Sequence, residues 1–231
     1  MQMLADRQCD AIILYTRHMS EKAIMSLINS IAMPLVVINR DVAQASRTLR
    51  VLRTAGSRLP GRGVSDYPGG HRDIACITVP MHTPTGQARL QGYRNALIKH
   101  GIEWDPSRVK YGDPTMTRGY ELCRELLDEK ARFSALFSCN DDMALGASKA
   151  LHQAGLRIPQ DVSLFGFDDA PSAKWLEPGL STVYLPIDNM ITTAIDQAIA
   201  CQSAADRNDP AVYRHAGASR VGDDGTFLNK L

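Results

Sequence analysis

Several kinds of chemistry are missing from this chain of 231 residues. Its five cysteines, Cys9, Cys76, Cys123, Cys139 and Cys201, contain no Cys-x-x-Cys pair and no regular spacing. That removes a zinc site and a disulfide framework, and it fits a reducing cytoplasm. No basic leader followed by a long apolar stretch opens the sequence, and its apolar runs reach only about six residues against the roughly 20 needed to span a bilayer. A soluble protein without a secretory signal is expected. Charge of one sign is also missing: 26 basic residues face 25 acidic ones, a formal +1. No whole-molecule field therefore draws in nucleic acid or an anionic membrane. There is no GxGxxG or GxxxxGK[ST] phosphate loop, and no GxSxG elbow or HExxH helix with which His82, His100 or His152 could be paired. Phosphate-loop and nucleophilic catalysis have no scaffold. What remains, 44% hydrophobic and 22% charged residues, is an ordinary globular composition, long enough for one large domain or two small ones.

The apolar pattern alternates between two periods. Ala11 to Tyr15 is a continuous apolar run, as a strand covered on both faces should be. From a Ser20 N-cap, Ile24, Leu27, Ile28 and Ile31 recur at helical spacing, and Pro34 to Asn39 is again strand-like. After residue 70 the alternation continues: strands at 73–79, 108–111, 133–138, 161–167 and 181–184, and helices at 85–100, 117–129, 141–153 and 188–200. Ile191, Ala194, Ile195 and Ile199 supply the stripe of the last helix. Strands and helices alternating through short loops require parallel pairing by right-handed crossovers, hence an α/β fold with an open sheet and helices on both faces.

In such sheets a ligand sits beyond the carboxyl ends of the strands. The residues there are polar: Asn39-Arg40, His82-Thr83, Gly112-Asp113, Asn140-Asp141-Asp142 and Asp168-Asp169. Carboxylates accept hydroxyl hydrogens, a guanidinium donates a fork, and an amide does both, which is the mixture a polyol needs. The local alternative stays open at this point, with Asn140 and Asp168 capping the helices that follow and Arg89 a surface charge. A rival enzyme would gather Asp141, Asp142, Asp168 and Asp169 around a metal, although magnesium usually brings substrate phosphates or a further carboxylate.

The stretches GHRDIACITVP, ARLQGYRNAL, ALFSCNDDMALGASKALHQAGLRIPQDVSLFGFDDAP and LSTVYLPI resemble the effector-binding region of the lactose/galactose repressor family of bacterial transcription regulators, the galactose-type members most of all. The resemblance covers residues 9–40 and 70–200. It implies a periplasmic-binding-protein-like fold, two lobes of doubly wound parallel sheet closing on a small sugar or purine, with the first lobe incomplete here. By the same resemblance Arg89, Asn140 and Asp168 are ligand-binding. Ile187 falls where some members place an aromatic under the sugar ring, and Leu145 and Leu176 fall at the family's dimer interface, although a core role serves those two leucines equally well.

The implied partners are a galactose-like sugar and a second copy in the complete family member, with DNA bound only through a headpiece that is absent here. Neither a cofactor nor a metal is implied, and neither a membrane nor an enzymatic activity. The expected division is a remnant of the first lobe at 1–70, mainly the second lobe at 71–200 and an atypical tail at 201–231. Residues 41–69, with five arginines, no lysine and no period, have the look of translation out of frame. They and the tail are expected to be the least ordered parts, because neither has an apolar face to offset the entropy of ordering. A transport-associated binding protein of the same fold is the other rival, disfavoured by the absent signal and the unpaired cysteines.

Overall fold

A computed structural model describes residues 9–15, 19–31, 33–38, 49–52, 70–81 and 83–206. In chain order its elements are β1 (Ile12–Tyr15), α1 (Glu21–Ser30), β2 (Leu35–Ile38), β3 (Leu49–Leu52), β4 (Ile74–Thr78), α2 (Pro84–Lys99), β5 (Val109–Tyr111), α3 (Met116–Asp128), β6 (Ala135–Ser138), α4 (Asp141–Gln153), β7 (Ser163–Asp168), β8 (Ser181–Tyr184) and α5 (Ile187–Asp206). They divide into two compact units, one holding β1 to β3 with α1 and α5, the other holding β4 to β8 with α2 to α4. Among the described residues no helix is long and apolar enough to cross a membrane.

The first unit is a parallel sheet in the order β1-β2-β3. Ser20 caps α1, its hydroxyl accepting the Ala23 N–H at 3.2 Å, and Ile24, Leu27 and Ile28 pack on Ile12, Leu35 and Val37. Strand β3 lies within residues 41–69, a stretch in which the sequence shows no period. Leu-Arg-Val-Leu is too short for a period to register in sequence, and the strand is defined by its pairing with β2, Leu35 opposite Leu49. The rest of that stretch, and residues 207–231, lie outside the described residues, as do Asn39, Arg40 and His82.

The last helix departs from expectation in three ways. It continues past Ala200 to Asp206, it packs on the strands of the first unit, and of its expected stripe it buries Ala194 alone. Met190, Ala194 and Ala198 are buried, whereas Ile191, Ile195 and Ile199 are 46%, 44% and 59% exposed. Two apolar rows run side by side along this helix. The row with two alanines lets its backbone approach the sheet closely, and packing favours that row over the bulkier one.

The second unit is a five-stranded parallel sheet, β5-β4-β6-β7-β8, doubly wound. Alternate residues of its strands serve opposite faces. Ile74, Cys76, Phe137, Phe165 and Phe167 pack beneath α2 with Leu90, Tyr93 and Leu97, while Ala75, Ile77, Leu136 and Leu164 pack beneath α3 and α4 with Leu122, Leu126, Met143 and Leu151. Tyr93 stacks on Phe137 with ring centroids 6.1 Å apart and donates its hydroxyl to the Ile74 carbonyl at 2.8 Å. Helices α3 and α4 meet through glycines: a Cβ at Gly119 would overlap the Met143 backbone, and one at Gly146 the Met116 carbonyl. The chain leaves β4 toward β5 on one side and returns to β6 on the other, so the winding reverses between β4 and β6. The carboxyl ends of those two strands open the crevice where such sheets take ligands.

Candidate functional site

Three elements converge on that crevice. After β4, Thr83 caps α2 by accepting the Gly86 N–H at 3.1 Å, and Pro84 opens the helix with its fixed φ. Two turns along α2, Arg89 points back over the sheet, only 6% exposed. Its Nη2 donates to Asp168 Oδ1 at 2.7 Å, its Nη1 donates to the Cys139 carbonyl, and its Cζ lies 3.9 Å above the centroid of the Phe167 ring. A guanidinium held by a carboxylate, a carbonyl and an aromatic face is pre-oriented, with N–H groups left over for a ligand.

Asp168 ends β7 at φ +111°, and Asp169 follows at +53°. Two successive non-glycine residues in this region form a sharp, unfavourable turn that the surroundings must hold in place. Among the described residues, Asp168 Oδ2 has no protein partner, so one oxygen fixes Arg89 and the other is available to accept a hydroxyl hydrogen. Asn140 ends up in the capping role. Its Oδ1 accepts the Met143 N–H at 3.0 Å to start α4, and its Nδ2 reaches the Pro114 carbonyl only at 3.5 Å, a weak bond that leaves donor capacity. Ile187 opens α5 in the first unit and is 47% exposed. Leu145 on α4 and Leu176 after the turn at Ala173–Trp175 are half-buried, and Trp175 beside Leu176 is 80% exposed.

The acidic residues do not assemble into a metal site: among the described residues no group of three potential ligands is placed to hold an ion. Asp141 accepts the Ala170 N–H and the Thr182 hydroxyl, both at 2.6 Å, and Asp142 is exposed. This clamp and the Phe167 ring were missed by sequence reasoning. Phe167 had a signal, since its place one residue before Asp168 and its register in β7 put it on the α2 face. Asp141 had none, because its partners are 29 and 41 residues away.

Burial raises the Asp141 carboxyl to about 6, against the opposing pull of Thr182 and Ala170 as donors. The folded chain therefore takes up a proton between about pH 4 and 6 that the unfolded chain releases, and stability from this group is greatest below that window and falls as pH rises through it. Asp141→Asn should remove the slope. Guanidinium unfolding at pH 4.5 and pH 7 is expected to show the parent losing roughly 2 kcal/mol more than the variant across that interval.

The sequence matches the family described as periplasmic binding protein-like domain over residues 68–216. It is 36% identical over 213 residues to the HTH-type transcriptional regulator AscG of Escherichia coli K12, covering 92% of this chain and 63% of that protein. Among solved structures, a sugar-binding transcriptional regulator of the LacI family from Escherichia coli, complexed with phosphate, aligns with a TM-score of 0.77 at 36% identity, over 92% of this chain and 76% of that one. A complex of the transcriptional regulator CelR with cellobiose aligns at 0.76 and 29% identity, over 93% and 64%. These relatives are transcriptional regulators and not enzymes. The chain spans less than two thirds of the length of the curated regulator it matches.

Proposed function

We propose, for a chain that belongs to the LacI-family regulators with their periplasmic binding protein-like domain, that it is the effector-binding region of a bacterial transcriptional repressor of galactose-type genes. The observation that carries this is the Arg89–Asp168 pair at the reversal of the winding: a buried guanidinium fork and a carboxylate with one oxygen to spare, 2.7 Å apart. Such a pair meets two neighbouring hydroxyls of a hexose, one as donor and one as acceptor. The Asn140 amide adds a donor. Two solved relatives, one a sugar-binding regulator and one bound to cellobiose, support a sugar over other small molecules.

Sugar binding would, through a dimer packed at Leu145 and Leu176, be read by a DNA-binding portion of the whole regulator. The setting would be the cytoplasm, where Cys76, Cys123 and Cys139 stay reduced thiols in the core.

Calorimetric or NMR titration with D-galactose tests the reading, with Asp168→Ala as the decisive variant. The loss of a hydrogen-bonded carboxylate from a partly dry cleft should cost roughly 1.5–3 kcal/mol of binding, more than tenfold in affinity. A folded Asp168→Ala protein that keeps the parent's galactose affinity would remove Asp168 from the site.

A further inference from the structure

Among the described residues Asp141 is the most deeply buried carboxylate of the second unit, at 1% exposure, and no cation touches it. Its partners are neutral donors: the Ala170 N–H and Thr182 Oγ1–H at 2.6 Å each, with the Phe167 backbone as a further donor. A buried anion satisfied only by neutral groups is expensive, so its presence asks what it holds.

What it holds is the turn that carries Asp168. Thr182 donates to Asp141 and with the same oxygen accepts the Asp169 N–H at 3.3 Å. The N–H groups of both residues after Asp168 thus end on Asp141, one directly and one through Thr182. The turn they close contains the two positive φ values, +111° and +53°, and an unfavourable conformation of this kind persists only where its neighbours determine it. The fold also reserves space for the contact, because a Cβ at Gly166 would overlap Asp141 Oδ1. Three segments distant in sequence, the start of α4, the end of β7 and β8, are tied at one carboxylate. Asp142, the other acid of the first turn of α4, is exposed and makes none of these bonds. A generic role in balancing the helix dipole would not single out Asp141.

We infer that Asp141 is the positioning residue of the effector site: it fixes the Asp168–Ala170 turn and thereby the direction in which the Asp168 carboxylate points, toward Arg89 and the crevice. The link to effector binding rests on the reading of Asp168 as a ligand, whereas the hold on the turn does not.

The test separates these two parts. The charged groups near Asp141 are Asp142 on its own helix and Asp168 and Asp169 at the end of β7, with Arg89 of α2 paired to Asp168; β8 presents Thr182, which does not titrate. Amide NMR spectra of the full chain are followed from pH 4.5 to 8 for the parent, Asp141→Asn, Asp142→Asn and Thr182→Val. The Ala170 and Asp169 amides should titrate together with a midpoint near 6 in the parent and in Asp142→Asn, and should not titrate in Asp141→Asn. In Thr182→Val the midpoint should move upward, since a donor to the carboxylate is gone. Exchange of the Ala170 amide with solvent should be about tenfold faster in Asp141→Asn, and D-galactose affinity at pH 7 about tenfold lower, with Asp142→Asn unchanged in both. If Asp141→Asn does not fold, Thr182→Val decides by its shifted midpoint. An Ala170 amide that ignores pH in the parent, or exchanges equally in parent and variant, overturns the role of Asp141. A parent that binds no galactose while its Ala170 amide behaves as stated refutes the sugar reading and leaves the turn with its holder.

Discussion

A Gly146→Ala protein is expected to lose about 3–5 kcal/mol of stability and to unfold at a clearly lower guanidinium midpoint than the parent. The sign makes this informative. Replacing a mid-helix glycine by alanine normally stabilises a helix by about 1 kcal/mol, because the unfolded chain loses freedom. Here the new methyl would meet the Met116 carbonyl and the Tyr120 N–H, and backbone atoms cannot rotate aside as a side-chain tip can. Helices α3 and α4 would have to separate, loosening Leu122, Cys123, Met143 and Ala147 together, all essentially inaccessible to water. Fluorescence-monitored unfolding with Lys149→Ala, an exposed change on the same helix, as control gives the comparison. An unchanged or raised midpoint for Gly146→Ala would mean that the two helices are not in backbone contact.

Arg89→Met is the second large effect, expected to cost about 3 kcal/mol. Methionine keeps much of the aliphatic stem, so packing on the Phe167 ring largely survives. What goes is the partner of Asp168, whose side chain is only 16% exposed, together with the donor to the Cys139 carbonyl. The loss comes chiefly from the carboxylate left behind. For that reason the double change Arg89→Met with Asp168→Asn should recover most of the deficit. Thermal unfolding of the three variants measures this coupling, and a double variant no more stable than Arg89→Met alone would show that Asp168 is already well hydrated without its arginine.

Some of this architecture was legible in the residue order, for reasons that can be named. Helix α4 runs from Asp141 to Gln153 and β8 from Ser181 to Tyr184, as read from the sequence, because each is bounded by strong local signals: an Asn140 cap and Gly155 at φ +77° for the helix, and a β-branched stretch before Pro186 for the strand. Arg89 and Asp168 also meet, since both come from positions that a doubly wound sheet sends to one end. Three features escaped. The strand β3 is defined by its neighbour and not by its own four residues. The buried row of α5 was chosen by closeness of approach to the sheet, which hydrophobicity alone does not rank when isoleucine competes with alanine. The Asp141 clamp joins residues with no local relation, and a sequence reader sees only an acid in the first turn of a helix, where acids are common.

The return of the chain to its first sheet at α5 has a consequence for the order of synthesis. The strands β1, β2 and β3 leave the ribosome early, yet the helix that packs across all three emerges about 135 residues later, after the whole of the other unit. The buried side chains of Val36 and Ile38, which face away from α1, belong to a layer whose cover is encoded at the far end. The elements from β4 to β8 are by contrast contiguous in sequence and can collapse together as soon as β8 is made. A chain halted just after Leu185 would carry one finished hydrophobic core and one sheet with an open face. Quality-control proteases should find that open face first, and the nascent protein depends on speed or on a chaperone during the interval in which those 135 residues are being added.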